Sequence, residues 1–306
     1  MTTIVQPQPQ PPPTDAAEGS KTLTPRRGRR YPFRSAGRTT ANVVALVAAV
    51  GWVFPVYWML NSSLLPQRNV RSREPSFLPV DGSLDSYRRV FETDFVNSLR
   101  LSATVTVLTV VLTLAAAFLA ALAVTRFRFG GRRGFLLAVL IVQMVPVEAL
   151  FISQFKMLEG WQLLNTVTGL TLLYVGVVIP FTIWMLRGFV NGVPIELEEA
   201  AMIDGCSRFR AFVKVTLPLL APGLVASGIY AFILAWNEFV MALVIMNRPE
   251  TQTLPVWLRT FIQANRASDW GAVMAGATLL AIPVVIFFLF VQHRMTSGLV
   301  AGAVKG

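Results

Sequence analysis

Cysteine and histidine are nearly missing: Cys206 and His293 stand alone in 306 residues. An internal disulfide is thereby excluded. A zinc site built from Cys and His, or a Cys–His catalytic pair, lacks the several ligands or partners such sites need. Charge is also scarce. Asp, Glu, Lys and Arg make up 14% of the chain, against roughly 25% in a soluble domain. Acidic residues are the rarer sign, 16 against 27 Lys and Arg, which leaves a net charge of +11. Hydrophobic residues reach 54% and mean hydropathy is +0.57. These values exclude a disordered chain and argue against the two or so soluble domains that the length would allow. An all-α polytopic membrane protein remains.

A basic balance sometimes marks a nucleic-acid binder, but here the basic residues sit between long apolar runs, so no nucleic-acid partner is expected. A spanning helix needs about 20 mostly apolar residues. Apolar stretches of that size predict six crossings: Thr39–Leu60, Leu101–Thr125, Gly134 to about Leu158 with an interruption at Glu148, the run between Glu159 and Arg187, the run from Val215 that meets Glu238 near its end, and Trp270–Gln292. Lipid offers no hydrogen bonds, so each run is expected to be a helix. Domain limits follow: a disordered basic tail over 1–37, a six-helix transmembrane domain over 38–293 with a connecting loop at 190–214, and a short tail over 294–306.

Basic residues set the orientation. Seventeen fall in the two tails and the even-to-odd connections, including Arg126, Arg128, Arg132, Arg133, Arg208, Arg210 and Lys214. Eight fall on the other side, and Arg100 and Lys156 lie at helix edges. The positive-inside rule places both termini in the cytoplasm of a multi-pass protein of the cell (inner, cytoplasmic) membrane. The stretch Gln6–Pro13 is Pro/Gln low complexity and reads as a solvated tail. The Arg26–Arg30 cluster is only superficially like a twin-arginine export signal, and reads as a topological anchor that touches anionic lipid.

The connection between the fourth and fifth crossings carries the motif. Pro194 suits the first helical position, and Glu196, Glu198 and Glu199 follow in the first turns, where the helix dipole favours acids. Gly205 is placed to end the helix in a sharp turn. Small residues at Ala200 and Ala201 allow close approach by another surface. A linking helix lying on the membrane would instead favour Lys and Arg. The spacing Glu199-Ala200-Ala201, three residues, Gly205, nine residues, Val215, one residue, Leu217-Pro218 resembles the "EAA" signature of ABC importer permeases. Val215 in place of Ile is the one departure.

Asn97-Ser98, Trp236-Asn237-Glu238-Phe239, Thr253-Leu254-Pro255 and the stretch Gly298–Gly306 resemble segments of the sugar-type, maltose-permease-like subfamily. The resemblance covers about residues 38–306. It implies a second, homologous permease, two ATPase subunits and an external solute-binding protein as partners, alongside the lipid membrane. It implies a coupling helix formed by Glu196, Glu198, Glu199, Ala200, Ala201, Asp204 and Gly205, leading to Leu217 and Pro218. ATP and Mg²⁺ belong on the partner ATPases, with no cofactor bound by this chain. The chain agrees: it has no Gly-x-x-x-x-Gly-Lys-Ser/Thr phosphate cradle. The solute implied is a carbohydrate.

Other residues stay open between two readings. Glu148, with Lys156 two turns on, is either a pair near the outer interface or a solute contact. Asn237 and Glu238 lie near the solute path or the partner permease, and Trp236 is alternatively an interfacial aromatic. Pro146, Pro180 and Pro283 interrupt helices, and Gly223, Ser227 and Gly228 suggest close helix packing. The last external loop, Asn247–Asp269, is expected to meet the binding protein through Trp257 and Phe261; the alternative lays both on the membrane surface. The tail after His293 is expected to reach the ATPases. A stand-alone secondary transporter is the rival function, but it would need a mid-membrane charge relay and repeated halves. A membrane enzyme fails for want of a nucleophile–base or metal constellation.

Overall fold

A computed structural model of the chain describes residues 33–72, 74–262 and 268–303, with side chains from Thr40 to Gln292. The Pro/Gln tail, Arg266 and residues 304–306 lie outside the described residues. Two compact units divide the chain, Met1–Trp52 and Val53–Gly306. In chain order the helices are α1 (Phe33–Leu64), α2 (Gln67–Val70), α3 (Asp85–Phe91), α4 (Phe95–Arg126), α5 (Arg132–Met144), α6 (Phe151–Gly160), α7 (Val167–Gly192), α8 (Glu196–Ile203), α9 (Arg208–Ala211), α10 (Leu217–Asn237), α11 (Val240–Ile245), α12 (Leu254–Leu258) and α13 (Trp270–Ala303). No strand occurs among the described residues.

Five helical stretches are long and apolar enough to cross a membrane: Thr40–Leu64, Phe95–Arg126, Val167–Gly192, Arg208–Asn237 and Trp270–Gln292. The expected third crossing is not one helix. Arg132–Met144 and Val147–Gly160 meet at 89°. Pro146 stands at the break, where its missing N–H and its restriction on Val145 (φ −77°, ψ 121°) stop α5. At 13 residues α5 covers about 20 Å, short of the roughly 30 Å of a hydrocarbon core. The fifth crossing starts earlier than Val215: α9, a π-helical turn (Phe212–Thr216) and α10 form one continuous stretch. The last helix continues past His293 to Ala303.

Lipid tails are as apolar as leucine, so helices here associate by close packing rather than by escape from water. The chain supplies small residues at helical spacing. Along α4, Ser98, Ser102, Thr106, Thr109, Thr113, Ala117 and Ala121 are buried in one stripe. The most extensive helix pairing is that of α4 with α7. Gly223 of α10 is packed so tightly that a Cβ there would stand 2.4 Å from Cγ of Phe189 on α7. The three helices α4, α7 and α10 form the centre of the second unit. Aromatic and aliphatic cores flank it at either end of α4: Val90, Phe95, Trp236, Leu254 and Trp257 at one, and Ile183, Leu186, Val190, Val193 and Leu220 at the other.

Candidate functional site: a protruding helix and a divided cleft

The segment after α7 is built as a stiff, exposed protrusion. Helix α8 begins two residues after Pro194, with Glu196, Glu198 and Glu199 in its first turn. It closes in a Schellman turn: Gly205 N–H donates to Met202 O (3.1 Å), and Cys206 N–H to Ala201 O (3.0 Å). Gly205 has φ +89°, a region where a Cβ is strained. Asp204 caps the helix, and Ser207 Oγ accepts from Arg210 N–H to start α9. The π turn follows, with Leu217 N–H reaching back to Phe212 O, and Pro218 lies in the first turn of α10.

The three acids separate. Glu196 and Glu199 are exposed beside Ala200, Leu197 (42% exposed) and Ile203 (86% exposed). Glu198 turns inward, its side chain 13% exposed. Its Oε1 accepts from Thr216 Oγ1 at 2.6 Å and lies 3.8 Å from Arg126 Nη2. Arg126 Nη2 also donates to Val193 O at 2.9 Å. In the sequence Arg126 shows only as a topological charge, and Thr216 carries no signal of its own. Nothing local in the sequence links residues 72 and 18 positions from Glu198.

At the other end of α4, the chain after α10 is fastened by neutral side chains. Asn165, at φ 58°, accepts through Oδ1 from Arg248 N–H (3.0 Å) and Thr251 Oγ1 (3.1 Å). Asn97 Nδ2 donates to Glu250 O (2.8 Å), and Ser102 Oγ accepts from Leu254 N–H (2.7 Å). Trp257 is 3% exposed, lies against Phe95 and Phe261, and donates through Nε1 to Thr93 Oγ1 at 3.1 Å. This corrects its reading as a contact: its indole fills a core. Phe261 is half-buried against it, while Arg259, Thr260 and Ile262 are exposed. Arg89 pairs with Asp269 at 2.7 and 3.2 Å, tying α3 to the start of α13.

Glu148 and Glu238 come together in a cleft of about 210 Å³, with Tyr174, Phe151 and Met241. Glu148 lies in a 3-10 turn beyond the Pro146 break and is exposed. Glu238 sits where α10 stops. Its Oε1 accepts from Met241 N–H (2.7 Å), and its Oε2 from Ala242 N–H (2.9 Å) and Tyr174 Oη (2.7 Å). It therefore acts as the cap of α11, satisfying the free N–H groups of that helix. Asn237 is exposed and donates to Ile233 O of its own helix. A second cleft of about 460 Å³ shares Val147 and Val177 with the first and adds Gln143, Gln154, Phe181 and Tyr230. The break in the third crossing thus opens a groove along α7. Trp236 is 3% exposed, with Nε1 donating to Leu280 O (3.3 Å), which sets aside the interfacial reading.

Residues 113–299 match the family described as "Binding-protein-dependent transport system inner membrane component". The chain is 44% identical over 271 residues to the diacetylchitobiose uptake system permease protein DasC of Streptomyces coelicolor, covering 88% of this chain and 98% of that one. It is 35% identical over 278 residues to the trehalose transport system permease protein SugB of Mycobacterium tuberculosis, covering 89% and 99%. Its fold matches a chain of a bacterial ABC transporter involved in import of the acidic polysaccharide alginate, with TM-score 0.72 and 26% identity over 85% of this chain and 96% of that one. The class is thereby defined: a multi-pass membrane permease of binding-protein-dependent ABC import. The chain belongs to that family, as the permease subunit of an ABC importer, and the stand-alone transporter is set aside.

Proposed function

We propose that this chain pairs with a second permease of its family to form a carbohydrate path, and that α8 is the coupling helix that docks into a cytoplasmic ATPase subunit. The observation that carries this reading is the exposed face of α8, where Glu196, Glu199, Ala200 and Ile203 lie together at i, i+3, i+4 and i+7 spacing beside the Gly205 turn. An exposed apolar patch rimmed by acids is partner-binding chemistry. The continuous helix from Arg208 to Asn237 gives any movement of α8 a stiff route into the membrane.

Carbohydrate fits the solutes for which the relatives are named, and diacetylchitobiose is the first to test. Glu148 lines the groove beside α7 and Glu238 shapes it by holding α11, while the exposed Asn237 is offered to the solute or to the second permease. The binding protein meets the exposed strip Arg259–Ile262 rather than Trp257. ATP and Mg²⁺ are held by two ATPase subunits, and the protein itself carries out transport without catalysis. The basic asymmetry puts α8 and both termini in the cytoplasm, facing inward from the cell membrane.

The test is crosslinking. A single cysteine in place of Ala201, with Cys206→Ser, is expected to crosslink to an ATPase subunit in native membranes, and Glu199→Lys to weaken that capture. An Ala201→Cys variant that transports yet captures no ATPase would sink the docking reading. A thermal-shift screen of the cognate binding protein against sugars tests the solute. Stabilisation by amino acids or peptides and by no sugar would refute the carbohydrate assignment.

A further inference from the structure

We infer that Glu198 is a positioning residue that joins the coupling helix to the second and fifth crossings at once, through Arg126 and Thr216. The inference rests on the coupling reading of α8. Of the three acids on that helix, two face outward, where a partner is met. Glu198 alone is turned into the protein, and what it faces is not another part of its own loop. Thr216, fully buried, is the last residue of the π turn and hands directly to α10. Arg126 is the last residue of α4. Arg126 also holds Val193 O, the carbonyl that follows α7. One carboxylate therefore stands where α4, α7, α8 and α10 converge.

Two further observations make this a joint rather than a plain staple. The hydrogen bond to Thr216 is tight at 2.6 Å, whereas the approach to Arg126 is 3.8 Å, longer than a hydrogen bond. Arg126 Nε is buried and has no hydrogen-bond partner among the described residues. The guanidinium thus keeps a donor in reserve close to an acceptor it has not fully engaged. A small shift of α8 toward α4 would convert a loose pair into a direct, charge-assisted one, and the reverse shift would part it. The Thr216 end meets a π turn, an irregularity that recurs at functional positions in helices. A displacement of α8 is therefore delivered rigidly to α10 and variably to α4.

The test uses the whole transporter, both permeases, the ATPases and the binding protein, reconstituted in vesicles. The readout is the stimulation of ATP hydrolysis by the binding protein with diacetylchitobiose, a signal that must cross this chain. Glu198→Gln keeps an oxygen for Thr216 but removes the charge facing Arg126. Stimulation is expected to be lost, with ATPase binding at the wild-type level. Thr216→Val removes only the hydroxyl and is expected to cut stimulation about threefold. Arg126→Gln with Glu198→Gln is expected to be no worse than the more severe single variant, because both act through one contact. Wild-type stimulation in Glu198→Gln and Thr216→Val would overturn the inference, as would multiplying losses in the double variant. Failure of both single variants to assemble would make Glu198 merely structural and overturn it too. A wild-type complex that binds ATPase without using α8 would overturn the coupling reading, and the inference with it.

Discussion

The two ends of α4 are finished in opposite ways. At its first turns, Asn97, Ser102 and the Thr93 hydroxyl just before it each hold a group of the segment 250–257, and Phe95 packs on Trp257. Every one of those fastenings is neutral, so each fixes geometry without the cost of stripping water from a charge. At the last turn of α4 the polar side-chain fastening is charged: Arg126, with one good hydrogen bond and one loose ion pair. Beyond it α8 leaves leucine and isoleucine side chains in the open. The first end is completed by this chain's own side chains. The second has the composition of a surface that something else completes. Damage at the first end should therefore appear as lost stability, and damage at the second as lost coupling in a protein that still folds.

The hardest test of that division is Trp257→Ala. Truncating a buried Trp costs about 3–5 kcal/mol, and this ring also packs on the backbone at Gly276, where a Cβ would stand 3.2 Å from its Cζ3. A large drop in the thermal unfolding temperature of the purified complex is expected. Trp257→Phe, which loses the bond to Thr93 and part of the indole volume, should cost less than Trp257→Ala but more than the roughly 1 kcal/mol of the hydrogen bond alone. If Trp257→Ala left stability intact while abolishing binding-protein docking, the loop would be a contact surface after all and the comparison would break.

Glu199→Lys probes the other end. A charge-assisted contact is worth about 1.5–3 kcal/mol, so ATPase association should weaken by about tenfold or more, with no change in unfolding temperature. Reduced thermal stability with unchanged association would reverse the assignment. Gly205→Val should cost about 1–2 kcal/mol for a side chain held at φ > 0. Nothing stands within 4 Å of a Cβ there, so the penalty is conformational rather than steric. Gly205→Asn, which tolerates that region, should recover most of the transport. Equal uptake by the Val and Asn variants would remove the turn from the mechanism.

The sequence made the crossings legible because lipid leaves little choice: a long run without charge is a helix or it is not in the membrane. Helix α8 was legible for a similar reason, since acids in the first turn and a glycine after the last mark helix ends by local chemistry. What escaped was chosen by distant neighbours. The Pro146 break looked like a kink, because composition shows an interruption but not its angle. Trp257 looked like a surface aromatic, because its loop is polar and the core it fills is made by α3, α4 and α13. Glu238 looked like a pathway carboxylate, although its three donors come from the turn after it and from Tyr174, 64 residues away. Arg126 was visible only as a topological charge.

The smallest effect sharpens the reading of that carboxylate. Glu238 receives three hydrogen bonds, two from backbone N–H groups of α11 and one from Tyr174. Tyr174→Phe removes the hydroxyl and keeps the ring in its core position. The loss should be about 0.5–1.5 kcal/mol, measurable as a modest fall in unfolding temperature. The two roles for Glu238 diverge on a second readout. If the carboxylate serves as a cap, the two backbone donors still hold it, α11 stays in place, and the diacetylchitobiose concentration that half-saturates uptake is unchanged. If it serves the solute, freeing Oε2 from Tyr174 exposes an extra acceptor to the cleft and shifts that concentration several-fold. The geometry favours the cap, because both oxygens are already engaged by the helix that Glu238 begins. Glu238→Gln is the companion variant: its amide can accept one backbone N–H but turns a donor toward another. It should therefore lower stability more than Tyr174→Phe does, the opposite order from that expected if the acid's value lay in binding sugar.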